Sequence, residues 1–253
     1  MDFKRDLITH ALTRPAIREG VREKYLIPEL RAIVAHWTAN KSKGANAQRN
    51  RDYFGNGSPG YVKGKLVNQT ASAHYCVDDA MAVQCIPDNE LAFHVGASRY
   101  TEFGDKLRRG YPSPNYVSVG FEMCVNKDGD WSKTYKHSAT LAAWLLFRHG
   151  FNTDRLVRHH DITGKDCPKM FLETEKWLEF KSDVSSEFDA MVNTKKRMMV
   201  TSKGLNVRSG PGVSNPVLYE LKQDEIVAVP KDAKGWVPVW HGQFVNSAFL
   251  ADI

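Results

Sequence analysis

Arg158-His159-His160-Asp161-Ile162-Thr163-Gly164-Lys165-Asp166-Cys167-Pro168 gathers imidazoles, carboxylates, an ammonium and a thiol into one short stretch. Imidazole nitrogen and thiolate sulfur hold zinc tightly, and a catalytic zinc takes three protein ligands and leaves a fourth position for water. The stretch offers one of its two histidines together with Cys167, so a third ligand must come from elsewhere. His36 is the candidate, because it stands at the polar end of Ile33-Val34-Ala35, an apolar run that reads as a buried strand. Strand ends are where loops and sites gather.

The elements that must position these groups follow from periodicity. Residues 31 to 38 read as the first strong strand, and 71 to 78 with 80 to 87 as two strands about a tight turn. In Tyr116 to Val125 the alternation puts Val117, Val119, Phe121 and Met123 on one face, and Glu122 with Ser118, Gly120 and Cys124 on the other. Ser138 is placed to cap a helix carrying Leu141, Trp144 and Leu145, with Gly150 as its stop. A second helix follows Pro168, with Met170, Phe171, Trp177 and Leu178 on one side and a continuation through Val184, Phe188 and Val192. Strands mixed with amphipathic helices predict an α/β domain, a central mixed β-sheet flanked by helices.

The remaining segments are expected to lie outside that core. Residues 2 to 30, broken at Pro15 and Pro28, read as a short helix and a lead-in, and residues 39 to 64 as a long surface loop. Cys76, Cys85 and Cys124 read as small buried packing residues, and a lone histidine such as His74 as a satisfied core or surface residue rather than a ligand. Residues 193 to 197 make a polar linker, and from Met198 brief strands parted by turns predict a small all-β barrel.

Composition bounds the function. The chain of 253 residues carries a net charge of +6, and its last fifty-six residues hold five basic and five acidic side chains, so the excess lies in residues 1 to 197. A basic surface suits a polyanion, whether nucleic acid, anionic lipid or an acidic wall polymer. No Lys/Arg block with interleaved aromatics appears, so nucleic acid is not expected as a partner. No apolar run approaches the roughly 20 residues that span a bilayer, and the first thirty residues lack a signal-peptide core. The expectation is a chain made in the cytoplasm, with no membrane partner and with thiols rather than disulfides.

Several separated motifs occur in one order: His36-Trp37-Thr38, Ser72-Ala73-His74-Tyr75, Ala92-Phe93-His94-Val95-Gly96, Asn115 through Ser118, Gly120, Glu122, and His159 through Pro168. The set resembles the type 2 N-acetylmuramoyl-L-alanine amidases, whose fold is shared with the peptidoglycan recognition proteins and many phage endolysins. The resemblance covers residues 25 to 182 and implies that His36, His159 and Cys167 bind zinc, its spacing favouring His159 over His160. It further implies Glu122 as general base, Lys165 as stabiliser of the reacting carbonyl oxygen, and His94 and Asn115 as lining of the substrate groove. Some relatives carry a catalytic tyrosine where this chain has Ala73, which puts more weight on Glu122.

The C-terminal segment resembles bacterial SH3 (SH3b) domains through Leu205-Asn206-Val207-Arg208-Ser209-Gly210-Pro211-Gly212, Gly235-Trp236 and Val245 through Leu250. That family implies a wall anchor, with Trp236, Trp240 and Tyr219 open to stacking on sugar or peptide and Trp236 more suited to barrel-core packing. The expected organisation is a catalytic domain over 1–182, a helix end and linker over 183–197 and the barrel over 198–253. The expected function is a monomeric zinc amidase of bacterial peptidoglycan, an endolysin of phage or prophage type that acts at the wall after release. A non-catalytic peptidoglycan binder is the alternative, but it expects a broken metal triad, and a zinc peptidase cutting within the stem peptide is another.

Overall fold

The computed structural model describes residues 1–62 and 65–253, so Lys63 and Gly64, at the end of the expected surface loop, lie outside the described residues. In chain order it forms β1 (Asp2–Arg5), β2 (Ala32–Trp37), α1 (Ala47–Gly55), β3 (Gly60–Val62), β4 (Lys65–Val67), β5 (Tyr75–Val77), β6 (Met81–Gln84) and α2 (Glu102–Leu107). These are followed by β7 (Ser118–Met123), α3 (Trp131–His149), β8 (Leu156–Arg158), α4 (His159–Thr163) and α5 (Thr174–Thr194). Six strands make one mixed sheet in the order β1-β6-β5-β7-β2-β8, parallel throughout except between β5 and β6. The α/β expectation therefore holds. Strands β2 and β7 are central and almost wholly buried, which is why their sequences run apolar instead of alternating cleanly with polar residues.

Five local expectations are corrected. The N-terminal lead-in belongs to the sheet: β1 pairs in parallel with β6 as an edge strand, and Ile8 just beyond it is fully buried. Charged Asp2, Lys4 and Arg5 mask the strand, as charges commonly do at sheet edges. The expected loop over 39–64 contains α1, capped by Asn46 accepting the Arg49 N–H, and the strand β3. The buried face of α1 is Ala47, Asn50 and Phe54, and the polar Asn50 in the middle hides the helical stripe.

Helix α3 starts at Trp131, ahead of Ser138. Asp130 accepts the Lys133 N–H at its start, while the Ser138 hydroxyl is buried and donates back to the Thr134 carbonyl. Residues 193–197, expected as linker, are the end of α5 and the first three residues of strand β9 (Lys195–Val200). The polar run Lys195-Lys196-Arg197 leaves too little apolar signal to mark a strand.

By its internal contacts the chain divides into two compact units, residues 1–138 with 154–180, and residues 139–153 with 181–253. The second unit adds β10 (Gly204–Arg208), β11 (Val217–Lys222), β12 (Ile226–Pro230), β13 (Trp236–Trp240), β14 (Gln243–Asn246) and β15 (Leu250–Asp252). A four-stranded sheet β11-β10-β14-β13 and a three-stranded sheet β12-β9-β15 enclose Met198, Val200, Val207, Val229, Val237 and Val245. Helix residue Trp144 sets its ring edge against Trp240 at 5.2 Å, and Arg148 lies over Trp144 and 3.5 Å from Glu225. Trp236 is outside the apolar cluster, contrary to expectation, because Val237 and Val239 occupy the inward face of β13 and period two turns Trp236 away. Tyr219 packs against the cluster and donates its hydroxyl to Gln243.

Candidate metal centre

Strands β7, β2 and β8 lie side by side and parallel, so their carboxyl ends open on the same edge. That edge is where open α/β sheets place their sites. His36, next to last in β2, is in register with Glu122 of β7, and His159 follows β8 at once. Helix α4 ends at Gly164, whose φ of 74° is a left-handed cap that favours glycine. The chain then returns so that the Cys167 carbonyl accepts the His160 N–H at 2.8 Å. Asp161 braces this turn, accepting the Arg158 N–H at 2.8 Å and pairing with its guanidinium at 2.6 Å. It is a capping residue of α4.

The sequence segments expected to supply ligands converge. One donor atom each from His36, His159 and Cys167 lies within 4.8 Å of the others, and all three residues are buried. Cys167 Sγ is 3.7 Å from His36 Nδ1, and the His36 and His159 rings are 4.7 Å apart. His160 stays outside the trio, with Nδ1 3.1 Å from the Lys165 carbonyl.

Burial sets the protonation of the trio. It holds His36 well below the usual imidazole range, with His159 and His94 adding to the effect. It lowers His159 to about 4, helped by the charge of Lys165. The Cys167 thiol is pushed up to about 12 by burial and then by Glu122. At neutral pH the imidazoles therefore offer lone pairs, and the thiol keeps its proton until a cation displaces it. Two nitrogens and a sulfur at this separation suit zinc with one open position and suit the oxygen-seeking hard cations badly.

Glu122 stands beside the trio with Oε2 enclosed and, among the described residues, without a hydrogen-bond partner. Burial raises its carboxyl to about 7, against the opposing pull of Lys165. A buried acceptor left without a donor costs about 1–3 kcal/mol, and such groups cluster at working sites. Lys165 itself is exposed on the loop between α4 and Cys167, close enough for its charge to act on Glu122, His159 and His36.

His94 and Asn115, expected in the groove, are both buried and turned inward. His94 Nδ1 is 2.9 Å from His36 Nε2, and Asn115 Oδ1 accepts the backbone N–H groups of His94 and Val95. His74 is a satisfied core residue as expected: Nδ1 accepts the Gly120 N–H, and Nε2 donates to the Glu90 carbonyl. Ala73 is fully buried. Ser118 and Gly120, which the sequence places among the motifs, had been given no role of their own. A Cβ at Gly120 would sit 2.4 Å from His94 Nδ1. Their signal was present, since both share a strand face with Glu122.

The profile of the N-acetylmuramoyl-L-alanine amidase family matches residues 28–170. Among curated proteins, N-acetylmuramoyl-L-alanine amidase CwlL of Bacillus licheniformis is 37% identical over 69% of this chain and 44% of its own length. N-acetylmuramoyl-L-alanine amidase BlyA of Bacillus subtilis (strain 168) is 33% identical, again over 69% of this chain and 44% of its own. The matched regions thus take up under half the length of these relatives. Among solved structures, the catalytic domain of XlyA is 29% identical with a TM-score of 0.56, covering 73% of this chain and 99% of that one. A mutant endolysin from Bacillus subtilis is 28% identical with the same TM-score and the same coverage.

Proposed function

The chain belongs to the N-acetylmuramoyl-L-alanine amidase family, and on that premise we propose that it hydrolyses the amide between N-acetylmuramic acid and L-alanine in bacterial peptidoglycan, with zinc held by His36, His159 and Cys167. The observation that carries the reading is the convergence of three ligand atoms within 4.8 Å beside a carboxylate oxygen that nothing else occupies. Zinc, when bound, supplies Lewis acidity to a carbonyl oxygen and brings the pKa of water to about 7.

The chain's own groups supply the proton movements. Glu122 Oε2, in a carboxyl that burial makes a stronger base than an exposed one, takes a proton from the attacking water and returns it to the leaving nitrogen. Lys165 brings fixed positive charge to the oxyanion that develops at the carbonyl. The cost of enclosing Glu122 Oε2 is offset only when a proton donor arrives, which ties the strain of the free site to the reacting water.

We further propose that residues 198–253 form an SH3b domain that anchors the catalytic domain of residues 1–182 to the wall. The likeness to an endolysin supports assignment to the phage or prophage type, acting as a monomer after release from the cytoplasm. Purified peptidoglycan should be solubilised by the isolated protein, left intact after chelation and solubilised again on zinc add-back. Solubilisation that ignores the chelator would remove the metal from the account.

A further inference from the structure

A histidine ligand binds metal through a ring nitrogen that carries no proton, and its other nitrogen decides which one that is. The direction of the hydrogen bonds behind His36 can be traced from a group that only accepts. The Pro114 carbonyl takes the Ser118 hydroxyl proton at 2.8 Å, so Ser118 Oγ has only lone pairs left for other neighbours. His94 Nε2 faces that Oγ at 3.3 Å and the Ser118 carbonyl at 3.4 Å. Both are acceptors, so Nε2 carries the proton.

His94 is buried against two other imidazoles, with ring centroids 5.1 Å from His36 and 5.5 Å from His74, and this favours the neutral ring. Its Nδ1 is then a bare acceptor, and the 2.9 Å contact is a bond donated by His36 Nε2. That leaves His36 Nδ1 bare, and it is this atom that stands 3.7 Å from Cys167 Sγ.

We propose that Ser118 and His94 form a hydrogen-bond relay that fixes His36 as its Nε2–H tautomer and so presents Nδ1 to the metal. Both are positioning residues acting through His36. Two neighbours hold the relay in place. Asn115 Oδ1 clamps the backbone of His94 and Val95 at 3.1 and 2.9 Å. Gly120, by lacking a Cβ, gives the His94 ring its place over the sheet. The two residues expected to touch substrate thus gain a different task, aiming a ligand.

The relay rests on the zinc reading, so the test separates the two. Nitrogen-15 spectra of the full metal-free protein report imidazole tautomers directly and need no variant. The expected result is a proton on Nε2 and none on Nδ1 for both His36 and His94, and a proton on Nδ1 of His36 overturns the relay. Zinc affinity is then measured by competition with a chromophoric chelator. His94→Phe should lose 10–100-fold, the cost usual for removing the partner of a ligating histidine. His94→Asn, whose Oδ1 can accept near the position of Nδ1, should recover most of that loss. Unchanged affinity in folded His94→Phe overturns the relay while leaving zinc binding intact. Failure of the unmodified protein to bind zinc overturns the metal reading, and the tautomers still decide the relay.

Discussion

Glu122 should burden the fold in a way that can be measured without substrate. Lifting its carboxyl from the ordinary 4.5 to about 7 makes ionising it in the folded chain about 3 kcal/mol more costly than in the unfolded one, taken as an upper bound. The sign follows from proton counting. Between those two values the folded state holds the proton and the unfolded chain has lost it, so the contribution is complete below pH 4.5 and disappears as pH rises through about 7. Glu122→Gln keeps the size and removes the ionisation. Urea unfolding of the metal-free wild type and variant at pH 5 and pH 8.5 isolates the effect, because an unpaired amide shifts the variant equally at both pH values. Wild type should lose about 2–3 kcal/mol more than the variant across that interval. Equal losses would refute the claim that an enclosed carboxylate sits beside His36, His159 and Cys167. The same variant should lose about 10²–10⁴ in hydrolytic rate.

Three further outcomes follow from the geometry. Zinc binding at pH 7 should release about one proton from the Cys167 thiol, none from the histidines and a further fraction from Glu122, whose carboxyl the cation drives toward ionisation, which calorimetry in buffers of different ionisation enthalpy reads directly; no release contradicts the protonation of the trio. Gly120→Ala drives a Cβ into the His94 ring and should cost about 1–3 kcal/mol of stability together with zinc affinity, so an unaffected variant contradicts the packing behind His36. Trp144→Ala removes the ring against Trp240 and should cost about 3–5 kcal/mol in denaturant unfolding, whereas a loss under about 1 kcal/mol would mean that the contact adds little to the second unit.

The parts of the chain legible in the sequence are those where residue type alone carries the signal. Ile33-Val34-Ala35-His36 announced a buried strand with an imidazole at its end, and His159 with Cys167 announced a candidate metal site, because few cores need imidazole and thiol so close. Three kinds of feature were hidden. Strand β1 and helix α1 carry polar residues where the pattern should be apolar, Lys4 at a sheet edge and Asn50 on a buried helix face. The start of α3 at Trp131, just after Asp130, was missed because Ser138 is an equally good capping residue type, and only the fold shows its hydroxyl buried within the helix. The inward turn of His94 and Asn115 depends on hydrogen bonds to residues 24 and 21 positions away, Ser118 and His94, which no local pattern encodes.

The central claim is settled by the bond that breaks. Purified peptidoglycan incubated with the zinc-loaded protein should yield intact stem peptides bearing a free N-terminal L-alanine, seen by mass spectrometry of the released fragments, with the glycan strands uncut. Fragments ending within the stem peptide, or new reducing sugar ends, would contradict it.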